Sequence, residues 1–344
     1  MAPFRRPVSA ALAALVCAIV SSGPAAGVAE EPQAGAAIAA LTALHAQDAA
    51  VERVGYRLAT ANAALCAHQV HDPGFSIHTL EQYGPAYRAA AAQLFGLRGQ
   101  PGVMSVAPGS PAAAAGLRAG DALMALNGAA LPSATTTAQA ADFTWTGLVQ
   151  HRVQAAFGDD AVTVSIDRAG APMVLTIRGA PACPSLFQVV PDAQMNGAAD
   201  GDYVQVSSDL VALARDDDEL AAALAHELAH NILGHRDRLD ALQVDRGLFA
   251  PFGRNARLIR ATEAEADRLS LYLMDRAGYA PAKAVGFWDR LRRAAYRFNL
   301  DPTHPAWGER LRDLRLEAGR IAAAGGPPGS APLPPELARQ LPAP

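Results

Sequence analysis

The chain has 344 residues, of which 51% are hydrophobic and 18% are charged, and its formal net charge is −4. This composition excludes an intrinsically disordered protein and leaves room for about two globular domains. The negative charge gives no general attraction to nucleic acid or to anionic lipid, so we expect no nucleic-acid partner and at most peripheral contact with a membrane.

Residues 1–29 have the features of an export signal. Arg5 and Arg6 precede an apolar run at 8–20, which is short for a membrane span, and small residues lead to a cleavage site after Ala29. The pattern predicts a signal peptide and an exported protein of the periplasm or cell envelope that is soluble after cleavage. Two alternatives stay open, namely an uncleaved N-terminal anchor and a lipid attached to Cys17.

In the rest of the chain the predicted secondary structure changes twice, from helices to strands and back to helices. Helices are predicted at 35–65, 84–95, 217–233, 260–277, 281–298 and 306–323, and strands at 103–106, 122–126, 161–166, 173–177, 187–190 and 203–206. We therefore expect an α+β fold in which a mainly helical domain with a small sheet, residues 30–97 and 181–324, is interrupted by a β-rich domain at 98–180. The Pro- and Gly-rich residues 325–344 are expected to form a disordered tail.

The predicted helix at 217–233 has well-marked ends. Asp216 and Glu219 form the pattern of a capping box, and Gly234 is a natural stop. The helix carries His226-Glu227-Leu228-Ala229-His230.

Histidines four residues apart lie about 40° apart around a helix, so both rings can reach one metal ion. Glu227 is placed beside them to take a proton from a metal-bound water, so the motif predicts a zinc hydrolase. A helix with two incidental histidines is the alternative, but such polar groups are costly to bury without a partner.

A catalytic zinc ion takes three protein ligands and keeps one position open. His235 is a poor third ligand, because five residues past His230 corresponds to about 140° around a continuous helix. The predicted helix at 260–277 is the better source. Glu263 and Asp267 share one of its faces, so one can bind the metal while the other orients a ligand histidine. Spacing alone does not rank Glu263 over Glu265.

Residues 184–320 resemble the HtpX-like and BepA-like gluzincin metallopeptidases, a family that also contains the CAAX prenyl endopeptidase. The resemblance rests on the motif at 226–230, on Glu263 and Asp267, and on Thr303-His304-Pro305 with Arg310. It implies a zincin-like fold, one zinc ion per chain, Glu263 as the third ligand and Asp267 as the residue that orients a ligand. HtpX-type membrane helices are missing, which favours the soluble periplasmic branch.

The same resemblance implies a substrate site. In the family an Asn-rich turn precedes an edge strand that docks the substrate, and here Asn196 precedes Tyr203, Val204 and Gln205. Relatives usually carry a bulkier apolar residue in place of Gly197, so this part of the cleft departs from the pattern of the family.

The resemblance also implies a catalytic role for His304, which would stabilise the oxyanion or gate the open metal position. The alternative for His304 is a Pro-rich turn that opens a helix.

Residues 98–180 resemble a PDZ domain of periplasmic proteases. The matching stretches are Gly102-Val103-Met104-Ser105-Val106, Pro108-Gly109-Ser110-Pro111, Gly116-Leu117-Arg118-Ala119-Gly120-Asp121 and Leu126-Asn127-Gly128. Such domains bind an extended peptide segment by adding it as a strand to a sheet edge. The resemblance implies that this domain recruits or gates substrates; a small β-domain that only shields the cleft is the alternative.

Cys66 and Cys183 are the cysteines that follow the predicted signal. In an oxidising compartment two cysteines are expected to pair, and this bond would tie together the points where the chain leaves and re-enters the peptidase. Two separate buried thiols are the alternative.

Together these features predict a zinc metalloendopeptidase that acts in protein quality control on misfolded or unassembled envelope proteins. A chaperone-like protein that binds clients with little cleavage is the main alternative, and a pure PDZ scaffold is a weaker one.

Overall fold

The computed structural model describes residues 34–133, 140–158, 160–244, 253–295 and 306–341. The predicted signal peptide and Cys17 therefore lie outside the described residues, as do Thr303, His304 and Pro305. Within the described ranges, every helix is too short or too polar to span a bilayer.

The described residues form an α+β fold, as predicted. The helices are α1 (Ala34–Ala61), α2 (Pro85–Phe95), α3 (Pro111–Ala114), α4 (Thr144–Ala156), α5 (Ser208–Leu213), α6 (Asp217–Ile232), α7 (His235–Ala241), α8 (Gly253–Arg276), α9 (Pro281–Ala295), α10 (Trp307–Ala324) and α11 (Pro335–Ala338). The strands are β1 (Val70–Asp72), β2 (Phe75–His78), β3 (Gly102–Val106), β4 (Ala122–Leu126), β5 (Ala129–Ala130), β6 (Val162–Arg168), β7 (Ala171–Ile177), β8 (Ala180–Ala182), β9 (Leu186–Val190), β10 (Gly197–Ala199) and β11 (Tyr203–Ser207).

Helix α6 is the centre of the main core. Its alanines at 221, 222, 225 and 229 are fully buried, and α1, α8 and α9 pack around it. A helix that is apolar on nearly all sides belongs in a core, and small side chains let its neighbours approach closely. The Asp216 carboxylate accepts a hydrogen bond from the Glu219 backbone N–H at 3.0 Å, and Gly234 ends the helix with a left-handed φ of 58°.

A three-stranded sheet with the order β10-β11-β9 flanks α6. β11 is antiparallel to β10 and parallel to β9, so it is the central strand. This corrects the expectation that Tyr203, Val204 and Gln205 form a substrate-docking edge, because both sides of a central strand are already paired. The edge strand next to α6 is β10.

A second sheet has the order β2-β3-β4-β6-β7, with β5 paired to β4. Its core includes Phe75, Val103, Leu123, Val149 and Ile166. The sheet begins at Phe75 and not near residue 98, because β2 pairs with β3 in antiparallel fashion. The sequence pattern indicates neither the four-residue strand β2 nor the helix α4.

The helical core and the β-rich part meet where the chain leaves the helical core and where it returns to it. β1 pairs with β8, so that Asp72 lies opposite Ala180, and a disulfide joins Cys66 to Cys183 with their Cα atoms 5.6 Å apart. The N-terminal half of α1 also packs against α2. The structure thus contains the predicted disulfide at the junction of the β-rich part with the helical core.

The C-terminal segment differs from the expected disordered tail. Leu337 in α11 is buried against the main core, and the Glu336 carboxylate accepts a hydrogen bond from Arg268 at 2.7 Å. Leu333 and Leu341 pack against the same core. Burying one leucine contributes about 1.5–3 kcal/mol, which offsets part of the entropy cost of ordering a Pro- and Gly-rich segment.

Candidate metal centre

Helices α6 and α8 bring three ligand-type side chains to one point. The Nε2 atoms of His226 and His230 are 3.3 Å apart, and the two Glu263 oxygens lie 3.3 Å from His226 Nε2 and 3.5 Å from His230 Nε2. A tetrahedral zinc ion with bonds of about 2.0–2.2 Å holds its ligand atoms about 3.3–3.5 Å apart. One Glu263 oxygen faces each histidine ring, and each of the three residues offers a ligand atom within 4.8 Å of the other two. We call these three residues the ligand triangle, and its size suits a single metal ion.

Glu265, the other candidate for the third ligand, points away from this triangle. Its Oε2 atom lies 3.1 Å from His235 Nε2 and also accepts a hydrogen bond from Arg238. The geometry therefore favours Glu263 as the ligand.

Asp267 holds the second ring nitrogen of His226, at 3.0 Å from Nδ1, and accepts a hydrogen bond of 2.7 Å from Arg310. Burial raises the pKa of Asp267, but the Arg310 guanidinium and His226 outweigh it and leave the pKa below its ordinary value. An ionised Asp267 at 3.0 Å from Nδ1 favours the tautomer of His226 that carries its hydrogen on Nδ1, which leaves the lone pair on Nε2, the nitrogen of the triangle.

Arg310 is itself buried, and its guanidinium carbon lies 3.9 Å from the centre of the Trp288 ring. The Trp288 ring in turn packs edge-to-face on His226 at 5.3 Å. The sequence singled out Arg310 without giving it a role; the structure places it where it fixes both Asp267 and Trp288.

Glu227 faces the cleft beside the ligand triangle. Burial raises the pKa of the Glu227 carboxyl to about 7, against the opposing effect of His226. A general base works best when its pKa is near the working pH. The edge strand β10 runs close by, since a Cβ atom placed on Gly197 would lie 2.5 Å from Glu227 Oε1.

A cleft of about 620 Å³ opens over the triangle, lined by Asn196, the three residues of β10 and Glu227. Asn196 is thus the one predicted substrate residue that borders it. Tyr203 instead donates a hydrogen bond to Gln150 of α4 at 3.1 Å, Val204 is fully buried, and Gln205 bonds to Gln188. These three residues belong to β11, the strand that pairs with β10 on the side away from the edge.

Comparisons with known proteins agree with this site. Residues 102–144 match the family model of the PDZ domain, and residues 178–249 and 253–318 match that of peptidase family M48. The mitochondrial metalloendopeptidase OMA1 of Schizosaccharomyces pombe is 27% identical over 142 residues, which cover 33% of this chain and 40% of that protein. The aligned region therefore spans less than half the length of this relative.

Each residue of the ligand triangle lies inside the stretch that matches family M48. The resemblance to gluzincin metallopeptidases and to PDZ domains is thereby confirmed. The part of the chain that holds the ligand triangle thus matches peptidase family M48, and residues 102–144 match the PDZ domain.

Proposed function

We propose that this protein is a zinc-dependent endopeptidase with one zinc ion per chain, held by His226, His230 and Glu263. The observation that carries the proposal is that these three residues place ligand atoms within 4.8 Å of one another, with Glu227 beside them and an open cleft above. When bound, zinc supplies Lewis acidity to the scissile carbonyl and to the attacking water.

The side chains and the edge strand around the zinc site bind the substrate, transfer the proton and orient the ligands. The edge strand β10 pairs with the extended substrate backbone and directs it over the cleft. Glu227 takes the proton from the attacking water and delivers it to the leaving amine. Asp267 and Arg310 keep His226 in the orientation that the ligand triangle requires. His304 lies outside the described residues, and its role as a gate or an oxyanion stabiliser stays a prediction.

The PDZ domain would recruit or gate polypeptide substrates. β2 is an edge strand and α4 packs beside it, which suits uptake of a peptide as an added strand. β2 and α4 line a groove that Glu52 and Tyr56 of α1 also border, so a peptide bound in this groove would also touch the peptidase part of the chain. This arrangement supports a link between peptide binding and access to the cleft.

The substrates we propose are misfolded or unassembled proteins of the cell envelope. The proposal rests on the predicted export signal and on the disulfide, which suits an oxidising compartment. A cleft bordered by a strand edge recognises main-chain groups, which unfolded segments expose.

The decisive experiment compares Glu227→Gln with the wild type on an unfolded protein such as casein. We expect both to carry about one zinc ion per chain, and the variant to lose activity by about 10³-fold or more because the proton acceptor is gone. Glu309→Gln, on the exposed side of α10, is the matched control and should cleave normally. Cleavage that persists in Glu227→Gln or resists a chelator would contradict the proposal, and binding of casein without cleavage would favour the chaperone-like alternative.

A further inference from the structure

The second ring nitrogen of His230 faces another histidine. His230 Nδ1 and His235 Nδ1 are 3.0 Å apart, with the rings edge-to-face at 4.8 Å, and His235 is 1% exposed. One of the two nitrogens must carry the hydrogen and the other the lone pair. Which one does so decides whether the Nε2 lone pair of His230 is free to bind a metal.

The groups behind His235 settle the direction of this hydrogen bond. His235 Nε2 lies 3.1 Å from Glu265 Oε2, and Glu265 also accepts hydrogen bonds from Arg238 and, at its other oxygen, from Gln340. A carboxylate with such donors around it is an acceptor, so His235 Nε2 carries the hydrogen. The Nδ1 atom of a neutral His235 ring then holds the lone pair and accepts the Nδ1 hydrogen of His230.

The backbone explains how His235 reaches this position. On a continuous helix it would lie about 140° away from His230. Gly234 instead adopts a left-handed φ of 58°, ends α6, and lets α7 start at His235 in a new direction. The break returns the His235 ring to the side of His230, outside the ligand triangle.

We propose that His235 is a positioning residue, which holds His230 in the tautomer and orientation that bind the metal, with Glu265 and Arg238 fixing the hydrogen of His235. The inference rests on the proposed zinc site. The two ligand histidines are then held by different groups: His226 by a carboxylate, and His230 by a neutral imidazole backed by a carboxylate. Outer partners of this kind typically contribute 10–100-fold to metal affinity.

The test measures the zinc dissociation constant by competition with a chelator. We expect His235→Ala to raise it about 10–100-fold, and His235→Gln to recover part of the loss, since an amide can accept from His230 and donate to Glu265. His151→Ala, on the exposed face of α4, is the matched control and should bind zinc as the wild type does. The absorption bands of bound Co²⁺ should shift in His235→Ala and return towards the wild type in His235→Gln.

The melting temperature of the metal-free proteins is measured as well. A loss of zinc affinity without a loss of stability distinguishes a positioning role of His235 from a structural one. An unchanged zinc affinity in His235→Ala, or a glutamine variant no better than alanine, would overturn the inference while the zinc site itself stands. If His235→Ala does not fold, Glu265→Gln takes its place, because it removes the strict acceptor and should also weaken zinc binding. A wild-type protein that binds no zinc would overturn both this inference and the proposed function.

Discussion

Gly197 shows at the scale of one residue how closely the edge strand and the proposed base are fitted. A Cβ atom at this position would lie 2.5 Å from Glu227 Oε1 and 3.0 Å from its carboxyl carbon. The Glu227 side chain is flexible, so it would rotate away before the backbone moved. The absence of a bulky residue at 197 thus leaves room for the present position of Glu227.

We therefore predict that Gly197→Ala keeps the fold and the zinc but lowers kcat by about 10²-fold, because displacing a catalytic group by about 1 Å has an effect of this size. Steady-state kinetics on a short peptide, with zinc content and melting temperature in parallel, check this. Gly286→Ala is the matched control, since nothing lies within 4 Å of its added Cβ on the exposed face of α9. Wild-type kcat in Gly197→Ala would show that Glu227 does not need its present position.

The residues of the candidate site differ in how far the sequence could predict them. His226 and His230 follow from helical spacing alone, because both lie on one helix. Glu263 and Glu265 lie about 200° apart on α8, so choosing between them requires knowing which face of α8 meets α6. The contact between His235 and His230 depends on the left-handed Gly234, which a straight-helix projection does not include.

At the scale of elements, α1 carries two partly buried acidic side chains, Asp48 and Glu52, and Asp72 of β1 adds its charge to that of Asp48 near Glu52. Burial, with the nearby charges of Asp72 and Asp48, raises the pKa of Glu52 to about 8. Burial raises the pKa of Asp48 to about 7 and that of Asp72, at the end of β1, to about 6. The folded protein therefore holds protons on these carboxyls at pH values where the unfolded chain has already released them.

A raised carboxyl pKa means that the folded state binds more protons than the unfolded state between the two pKa values. The contribution to stability is complete below the ordinary pKa near 4 and is lost as the pH rises through the folded value. We predict that the free energy of unfolding falls between pH 6 and about 8, and that Glu52→Gln reduces this fall. Urea unfolding at several pH values measures both, with Glu309→Gln as the exposed control. Equal pH dependence in the two variants would contradict this reading of α1.

The sequence predicts the individual helices and strands better than it predicts which strands lie next to each other in a sheet. The capping pattern of Asp216 and Glu219 marks the start of α6, and alternating Val204 and Val206 mark β11 as a strand with one buried face. Alternation does not say which strands lie on either side. The sequence therefore predicted β11 correctly as a strand and wrongly as an edge.

At the scale of the whole molecule, the PDZ domain is tied to the peptidase at several points. The β1–β8 pair and the Cys66–Cys183 disulfide close the junction. The Tyr203 hydroxyl donates to Gln150 of α4, while the Tyr203 carbonyl accepts from Asn231, the residue that follows His230. A short chain of contacts thus joins the PDZ domain to the helix of the ligand triangle.

These contacts define where the PDZ domain can be removed. Asp72 lies opposite Ala180 in the β1–β8 pair, so a two-residue Asn-Gly turn can replace residues 73–179 and close a hairpin. The disulfide lies on the peptidase side of this cut and stays intact. We predict that the shortened chain binds one zinc ion and hydrolyses a short peptide, whereas its choice among protein substrates changes.

Deleting 98–180 is the informative comparison, because it keeps β2 but removes β3, the strand with which β2 pairs. That deletion leaves Phe75 and Ile77 without their core and should yield a less stable, aggregation-prone protein. Zinc content, melting temperature and peptide hydrolysis of the two shortened chains, measured side by side, test the boundary. If the 73–179 replacement binds no zinc while the 98–180 deletion does, the peptidase depends on β2 and α2, and the boundary near residue 98 is the better one.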